Sequence, residues 1–231
     1  MNHKFNIYEN GKEIKQPRQY SDIGFGEGDI YHLLEKEERK KQMITKVLAK
    51  TKTYLIGPMQ YAEGRTWRED ISGFLKDIDV TIFDPYKKPF INAPDEDEQT
   101  HNEMCYLMET GNRLADHGKS GFDEVAEHMK KVRSFDLSMV DRADFIICYL
   151  DPEVPTFGTM EELSWACRCK KPTFIVIEGG KKKTPFWVMG MFPHKYIYSS
   201  FDEVVETLDG INNGEIKISS DRWRLFEPHL R

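Results

Sequence analysis

From residue 52 onward the chain alternates short apolar runs with longer amphipathic ones, and this alternation restricts the fold more than any other feature. The strand-like runs are KTYLIGPM, DVTIFDPY, DFIICYL, PTFIVIE and YIYSS, and helix-like runs separate them. Strands that alternate with helices pair in parallel, so the pattern predicts a doubly wound α/β domain. We expect a mainly parallel five-stranded sheet with helices on both faces and a ligand site beyond the carboxyl ends of the strands.

The sequence on either side of this domain lacks the alternation of strand-like and helix-like runs. Residues 1–50 begin with a hairpin-like stretch that has Asn10 and Gly11 as its turn, and a charged helix-like run follows. We predict an accessory extension over residues 1–50, the α/β domain over 51–210 and a tail over 211–231. Residues 87–120 are polar and irregular, which indicates an insertion or a mobile segment over a site.

Charge and motif content exclude several classes of function. The chain has 33 basic and 39 acidic residues and a net charge of −6, so a nucleic-acid polymer is not an expected partner. The N-terminus is polar and no apolar run has the length of a membrane span, so we expect a cytoplasmic protein with no membrane association. The four cysteines lack zinc spacing, and neither GxxxxGK[ST] nor GxGxxG occurs. We therefore expect no metal and no cofactor.

Two adjacent glutamates stand at the start of a helical run, in the stretch FGTMEEL at residues 157–163. On a helical wheel Glu161 falls on the solvent side, whereas Glu162 flanks the apolar face. Thr159 and Glu162 also have the spacing of a capping box, in which the glutamate only bonds the backbone at the helix start. The sequence leaves both interpretations of Glu162 open.

A second carboxylate interrupts the apolar stripe of the long helix, where Asp136 falls between Val132 and Met139. A buried carboxylate is costly unless it is paired or functional. The alternatives are a partner Arg or Lys, a backbone cap, or a role as a second site carboxylate beside Glu162. Two such carboxylates would suit attack at the anomeric carbon of a sugar, with a covalent glycosyl intermediate. The helix N-terminus is then expected to keep Glu162 ionised.

Three stretches of the chain resemble the nucleoside 2-deoxyribosyltransferase superfamily, which includes base-exchanging transferases and nucleoside or nucleotide N-glycosidases. They are YLIGPM, FDLSMVDRADFIICYLD and FGTMEELSWACRCKKPTFIVI, and KTPFWVMG resembles a later loop. The resemblance spans roughly residues 52–210 and implies a flavodoxin- or Rossmann-like fold and a homo-oligomer whose neighbouring chains complete the site. It implies that Glu162 is the nucleophile, that Asp136 assists it, and that Tyr54 lies near it. It also implies that the loop starting at Gly57 lines the site.

Further residues at the strand ends are candidates for substrate binding. Besides Gly57 they are Pro58, Met59, Arg65, Asp84, Tyr86, Thr156, Gly158 and Thr159. Thr156 stands where the classical transferases carry an aspartate and the nucleotide hydrolases a serine. Arg65 and Arg68 follow the first loop, where an arginine either grips a 5′-phosphate or lies on the surface. The aromatic residues Phe83, Tyr86 and Trp187 either stack on a base or pack in the core.

Two functions remain in competition. The first is cleavage or transfer at the N-glycosidic bond of a 2′-deoxynucleoside or its 5′-monophosphate, through a glycosyl-glutamate intermediate and with base exchange or hydrolysis. The alternative is a non-catalytic module of the same fold that binds or senses a nucleotide. In both cases the partner is a small-molecule nucleoside or nucleotide. A sensor has no need to keep both Glu162 and Asp136 in apolar surroundings, so the environment of these two residues discriminates between the alternatives.

Overall fold

The computed structural model describes residues 46–59, 63–111, 118–154 and 156–217, together with the two short strands Tyr8–Glu9 and Lys12–Glu13. The chain divides into two compact units, Met1–Thr45 and Lys46–Arg231. In the first unit the two short strands pair antiparallel, as the predicted hairpin requires. The part of the charged helix-like run before residue 46 and the part of the predicted tail after residue 217 lie outside the described residues.

The second unit contains a five-stranded sheet in which every pairing is parallel. Its strands are β1 (Lys52–Ile56), β2 (Thr81–Phe83), β3 (Phe145–Leu150), β4 (Thr173–Ile177) and β5 (Ile197–Tyr198). They lie in the order β2-β1-β3-β4-β5. This confirms the predicted doubly wound α/β fold with a flavodoxin-like strand order. The order reverses between β1 and β3, and such a switch point opens a crevice at the carboxyl ends of the strands.

Within the residues that the structure describes, six α-helices connect or flank these strands. They are α1 (Glu63–Asp77), α2 (Glu98–Glu109), α3 (Gly121–Arg142), α4 (Phe157–Arg168), α5 (Phe186–Met191) and α6 (Phe201–Asn212). Ser200 caps α6, because its hydroxyl accepts a hydrogen bond from the Glu203 amide at 3.4 Å.

Helix α2 contradicts the prediction that residues 87–120 are irregular throughout. Asp97 caps this helix by accepting a hydrogen bond from the Thr100 amide at 2.8 Å. None of its residues is buried. Its first six residues are all polar and its apolar residues lie only in the second half, so the segment lacks the apolar period over a full helix length that prediction from sequence requires.

Two apolar layers enclose the sheet. One layer joins the sheet to α1 and α6 through residues such as Leu55, and the other joins it to α3, α4 and α5 through residues such as Tyr54 and Ile56. Neighbouring residues of a strand point to opposite faces, so β1 contributes to both layers. Residues before position 51 also pack into this core. Leu48 is buried, and its amide donates to the Asn212 side chain at 3.2 Å.

In the ranges that the structure describes, no helix combines the length and the apolar character needed to cross a membrane.

Candidate active site

The loop that follows β1 forms one wall of the crevice at the switch point. Gly57 and Pro58 are buried there. A β-carbon at Gly57 would lie 3.0 Å from the Tyr149 carbonyl oxygen and 3.0 Å from the Trp67 ring. Contacts that short are repulsive, so the close approach of β1, β3 and α1 at this point favours glycine.

Arg68 of α1 holds this loop in place. Its side chain is buried, and its guanidinium donates to the carbonyl oxygens of Gly57 at 2.9 Å, Pro58 at 3.1 Å and Leu55 at 3.4 Å. Charged hydrogen bonds of this kind compensate for the cost of burying the guanidinium. The burial of Arg68 argues against the hypothesis that it grips a phosphate and indicates a structural role.

Glu162 is buried at the same crevice and accepts a hydrogen bond from Tyr54. The Tyr54 hydroxyl lies 2.6 Å from Oε1 of Glu162, and both residues are buried. Tyr54 is the third residue of β1 and pairs with Phe83 of β2 and Ile146 of β3. The inward interpretation of Glu162, which the helical wheel favoured, therefore matches the structure, and the hydrogen bond fixes the direction in which the carboxylate points.

The predicted capping box at Thr159 is wrong. Helix α4 begins at Phe157 with Thr156 as its N-cap, and the Met160 amide donates to the Thr156 carbonyl at 3.1 Å. Thr156 makes no side-chain cap bond. Because the helix begins three residues earlier than a Thr159 cap requires, Thr159 is inside the first turn and Glu162 is in the second.

The expectation that the helix N-terminus keeps Glu162 ionised is also wrong. The effect of the helix dipole falls off within the first turn. Burial, which is the largest influence, raises the pKa of Glu162 to about 8, and the charges of Asp136 and Glu96 raise it further, whereas the Tyr54 hydrogen bond lowers it. Burial also raises the pKa of Tyr54 well above its usual value, with the Glu162 charge as the next cause. Desolvation therefore outweighs the dipole at this site.

Asp136 lies on α3, where it is paired with a lysine and also influences Glu162. Its carboxylate forms an ion pair with the Lys88 ammonium at 2.9 Å, and Lys88 is also paired with Glu96. Burial and the Glu96 charge raise the pKa of Asp136 to about 6, although the Lys88 charge opposes them. The Asp136 charge raises the pKa of Glu162, so Asp136 acts on Glu162 electrostatically. The carboxylate pair stays a prediction. Lys88 and Glu96 were not foreseen, because they lie in the irregular segment without a recognisable motif.

A cavity of about 680 Å³ has Glu96 in its wall, whereas Glu162, Tyr54 and Asp136 are not among the described residues that line it. The site candidates Met59, Arg65 and Tyr86 line it, together with Asp95, Glu96, Asp97, Glu98, Thr100, His101, Asn102, Met104, His128, Met129 and Val132. The segment that was predicted to lie over a site therefore supplies much of its wall. Tyr86 is fixed by a bond from its hydroxyl to the Met59 carbonyl and by the Arg65 guanidinium, which lies 4.6 Å from its ring centre.

The structure does not place every candidate at this cavity. Asp84 accepts a hydrogen bond from the Tyr86 amide at 3.0 Å and so shapes the turn after β2. Thr156, Gly158 and Thr159 are not among the described residues that line the cavity. The two aromatic candidates outside the cavity have different environments. Phe83 is buried in the core, whereas Trp187 is exposed. Glu161 forms a surface ion pair with Arg133, as its predicted solvent-facing position requires. In the described ranges, no three histidine, cysteine or acidic side chains gather closely enough to hold a metal ion.

No family model matches the chain, and no curated protein matches it in sequence. Solved structures do resemble it. The 2-deoxyribosyltransferase of Bacillus psychrosaccharolyticus is 17% identical with a TM-score of 0.43, and the match covers 68% of this chain and 95% of that chain. The CMP N-glycosidase of Clostridium botulinum is 15% identical with a TM-score of 0.38, covering 68% and 98%. Both names agree with the superfamily that the motifs resemble. Similarity at this level carries no argument about activity, so the functional proposal rests on the site.

Proposed function

We propose that the protein cleaves or transfers the N-glycosidic bond of a 2′-deoxynucleoside, or of its 5′-monophosphate, with Glu162 as the nucleophile. The observation that carries this proposal is the buried hydrogen bond of 2.6 Å from the Tyr54 hydroxyl to Glu162 at the switch point of the sheet. Glycosidic chemistry requires a fixed carboxylate against the anomeric carbon and a second charged group near it. Asp136 supplies that second charge, and the sequence resemblance implies the same roles.

The reaction would proceed in two displacements at C1′. In the first, an oxygen of ionised Glu162 bonds to C1′ as the bond from C1′ to the base nitrogen breaks, and the base leaves with the electron pair and takes a proton from water. The Asp136 carboxylate stabilises the positive charge that develops on the sugar. In the second, another base or a water molecule loses a proton, attacks C1′ and releases Glu162. A second base gives exchange, and water gives hydrolysis.

The cavity beside Glu96 is the proposed binding site of the substrate. Tyr86 offers an aromatic ring whose position is fixed by two contacts, and aromatic rings stack favourably on bases. Arg65 is the one arginine in the described lining, and it is the candidate for contact with a phosphate. The roles of Asp84, Thr156, Gly158 and Thr159 remain predictions.

The environment of Glu162 predicts how this activity depends on pH. With a pKa of about 8, roughly a tenth of Glu162 is ionised at pH 7 in the protein without substrate. Only the ionised form attacks, so kcat/KM should rise with pH and level off above about 8.

The test is an exchange assay with deoxynucleosides and their monophosphates, each incubated with and without a free acceptor base. Chromatography separates new nucleosides, which indicate transfer, from free base and sugar, which indicate hydrolysis. We expect Glu162→Ala and Glu162→Gln to abolish base release while circular dichroism shows that both remain folded. Glu161→Gln is the matched control, because it removes the neighbouring carboxylate from a surface ion pair with Arg133 and should keep full activity.

Two results would overturn the proposal. Full activity in Glu162→Ala would exclude this residue as the nucleophile. If the wild type binds a nucleoside but releases base from none of the substrates, the non-catalytic binding or sensing module is the better account.

A further inference from the structure

Lys88 occupies a position in the site that neither the motifs nor the carboxylate pair explains. Its ammonium group is 2.9 Å from Asp136 and is also paired with Glu96. The Lys88 side chain is only 2% exposed, whereas those of Asp136 and Glu96 are 14% and 19% exposed. Long charged side chains normally keep their charged end in water. The burial of Lys88 between two carboxylates therefore indicates that the surrounding structure holds its ammonium group in this position.

The three residues join separate parts of the site. Asp136 belongs to α3, whereas Lys88 and Glu96 belong to the segment between β2 and α2. Glu96 also lines the cavity. Lys88 therefore ties the cavity wall to the helix that carries the assisting carboxylate.

We propose that Lys88 is a positioning residue of the reaction, whose ammonium group fixes the Asp136 carboxylate in its ionised form beside Glu162. This inference rests on the proposed function for its catalytic meaning, but its physical content can be tested without activity. In the proposed reaction Asp136 acts through its negative charge. That charge stabilises the transition state only if the carboxylate stays ionised and stays in place.

The charged neighbours determine the direction of each effect. The groups that act on Asp136 are Lys88, which favours its ionised form, and Glu96, which opposes it. Across the site, Asp136 raises the pKa values of Glu162 on α4 and of Tyr54 on β1. Removing Lys88 and removing Glu96 should therefore shift the Asp136 titration in opposite directions, an outcome that loss of packing alone would not produce.

The first experiment measures log(kcat/KM) for base release against pH in the wild type and four variants. If both carboxylates must be ionised, the wild-type profile steepens below about pH 6, where Asp136 takes up its proton. In Lys88→Met this break should move up by about 1–3 pH units, the usual influence of a close opposite charge. It should move down in Glu96→Gln and remain near the wild-type value in Lys88→Arg. Lys87→Met is the control, because this exposed neighbour should leave the profile unchanged.

The second experiment follows the Asp136 carboxyl carbon directly by NMR of protein carrying isotope-labelled aspartate, with the signal assigned by its loss in Asp136→Asn. The midpoint should shift upward in Lys88→Met and downward in Glu96→Gln. If the wild type releases no base, the proposed function fails, and this titration still decides whether Lys88 controls Asp136. An unchanged midpoint in Lys88→Met would overturn the inference. So would a loss of activity in that variant that is equal at every pH, because that result describes a structural role only.

Discussion

The hydrogen bond between Tyr54 and Glu162 provides the sharpest single perturbation of the site. Tyr54→Phe removes the hydroxyl that lies 2.6 Å from the Glu162 carboxylate and preserves the ring that packs in the core. A hydrogen bond to a charged group contributes about 1.5–3 kcal/mol, and each pKa unit corresponds to about 1.4 kcal/mol. The loss should therefore raise the pKa of Glu162 by about 1–2 units from its value of about 8.

This shift has a specific kinetic signature. At pH 7 the ionised fraction of Glu162, and with it kcat/KM for base release, should fall about 10- to 100-fold in Tyr54→Phe. At pH values above the new pKa, the difference in kcat/KM between the variant and the wild type should disappear, because Glu162 is then ionised in both proteins. The assay is the pH profile of kcat/KM for release of base from a deoxynucleoside.

Tyr149→Phe is the matched control for this profile. The Tyr149 hydroxyl donates to Glu178 at 2.5 Å, and Tyr149 packs on the face of the sheet opposite Tyr54, so the variant removes the same type of bond away from Glu162. Its profile should match that of the wild type. The reasoning is refuted if Tyr54→Phe loses the same factor of activity at every pH, or if it loses none.

Three further predictions concern stability and substrate choice. Because the pKa of Glu162 is raised in the folded protein, the stability that it contributes is complete below its unfolded pKa and is lost as pH rises through about 8. The denaturant midpoint of the wild type should therefore fall between pH 7 and pH 9 while that of Glu162→Gln stays level, and parallel curves would contradict this. Gly57→Ala should destabilise the protein by about 1–3 kcal/mol in urea unfolding, because its new methyl group meets the Tyr149 carbonyl and the Trp67 ring; an unchanged midpoint would show that the loop yields. The cavity lining carries four carboxylates against Arg65, so a neutral deoxynucleoside should have a higher kcat/KM than its 5′-monophosphate at low salt, and the reverse order would show that Arg65 dominates.

The parts of the fold that follow from local periodicity were predictable. The five strands, the long helix and the inward side of Glu162 were correctly predicted, because strand and helix periods determine which side chains share a face. The alternation of strands and helices alone did not predict the order β2-β1-β3-β4-β5, since the order depends on contacts between segments far apart in the chain. Helix α2 was missed because it buries no side chain.

The site shows the same division between local and distant information. The alternation of strands and helices predicted a site at the strand ends, and the helical wheel predicted that Asp136 interrupts an apolar stripe. A shift of three residues in the start of α4 made the predicted Thr159 cap wrong, and burial of the carboxyl group made the expected ionised state of Glu162 wrong. Lys88 and Glu96 were beyond prediction, because their pairing with Asp136 joins the irregular segment to α3 without periodicity or motif. The predicted homo-oligomer and the domain boundaries remain predictions.

The central claim is that Glu162 forms a covalent bond to the sugar, and mass spectrometry tests it most directly. Wild-type protein is mixed with a 2′-fluoro-2′-deoxynucleoside, whose electron-withdrawing fluorine slows release of the sugar, and is then digested and analysed by peptide sequencing. We expect the mass of one fluorinated deoxyribosyl group on Glu162, and none in Glu162→Gln. A protein that releases base from deoxynucleosides but carries the added mass on another residue, or carries none, would contradict the claim.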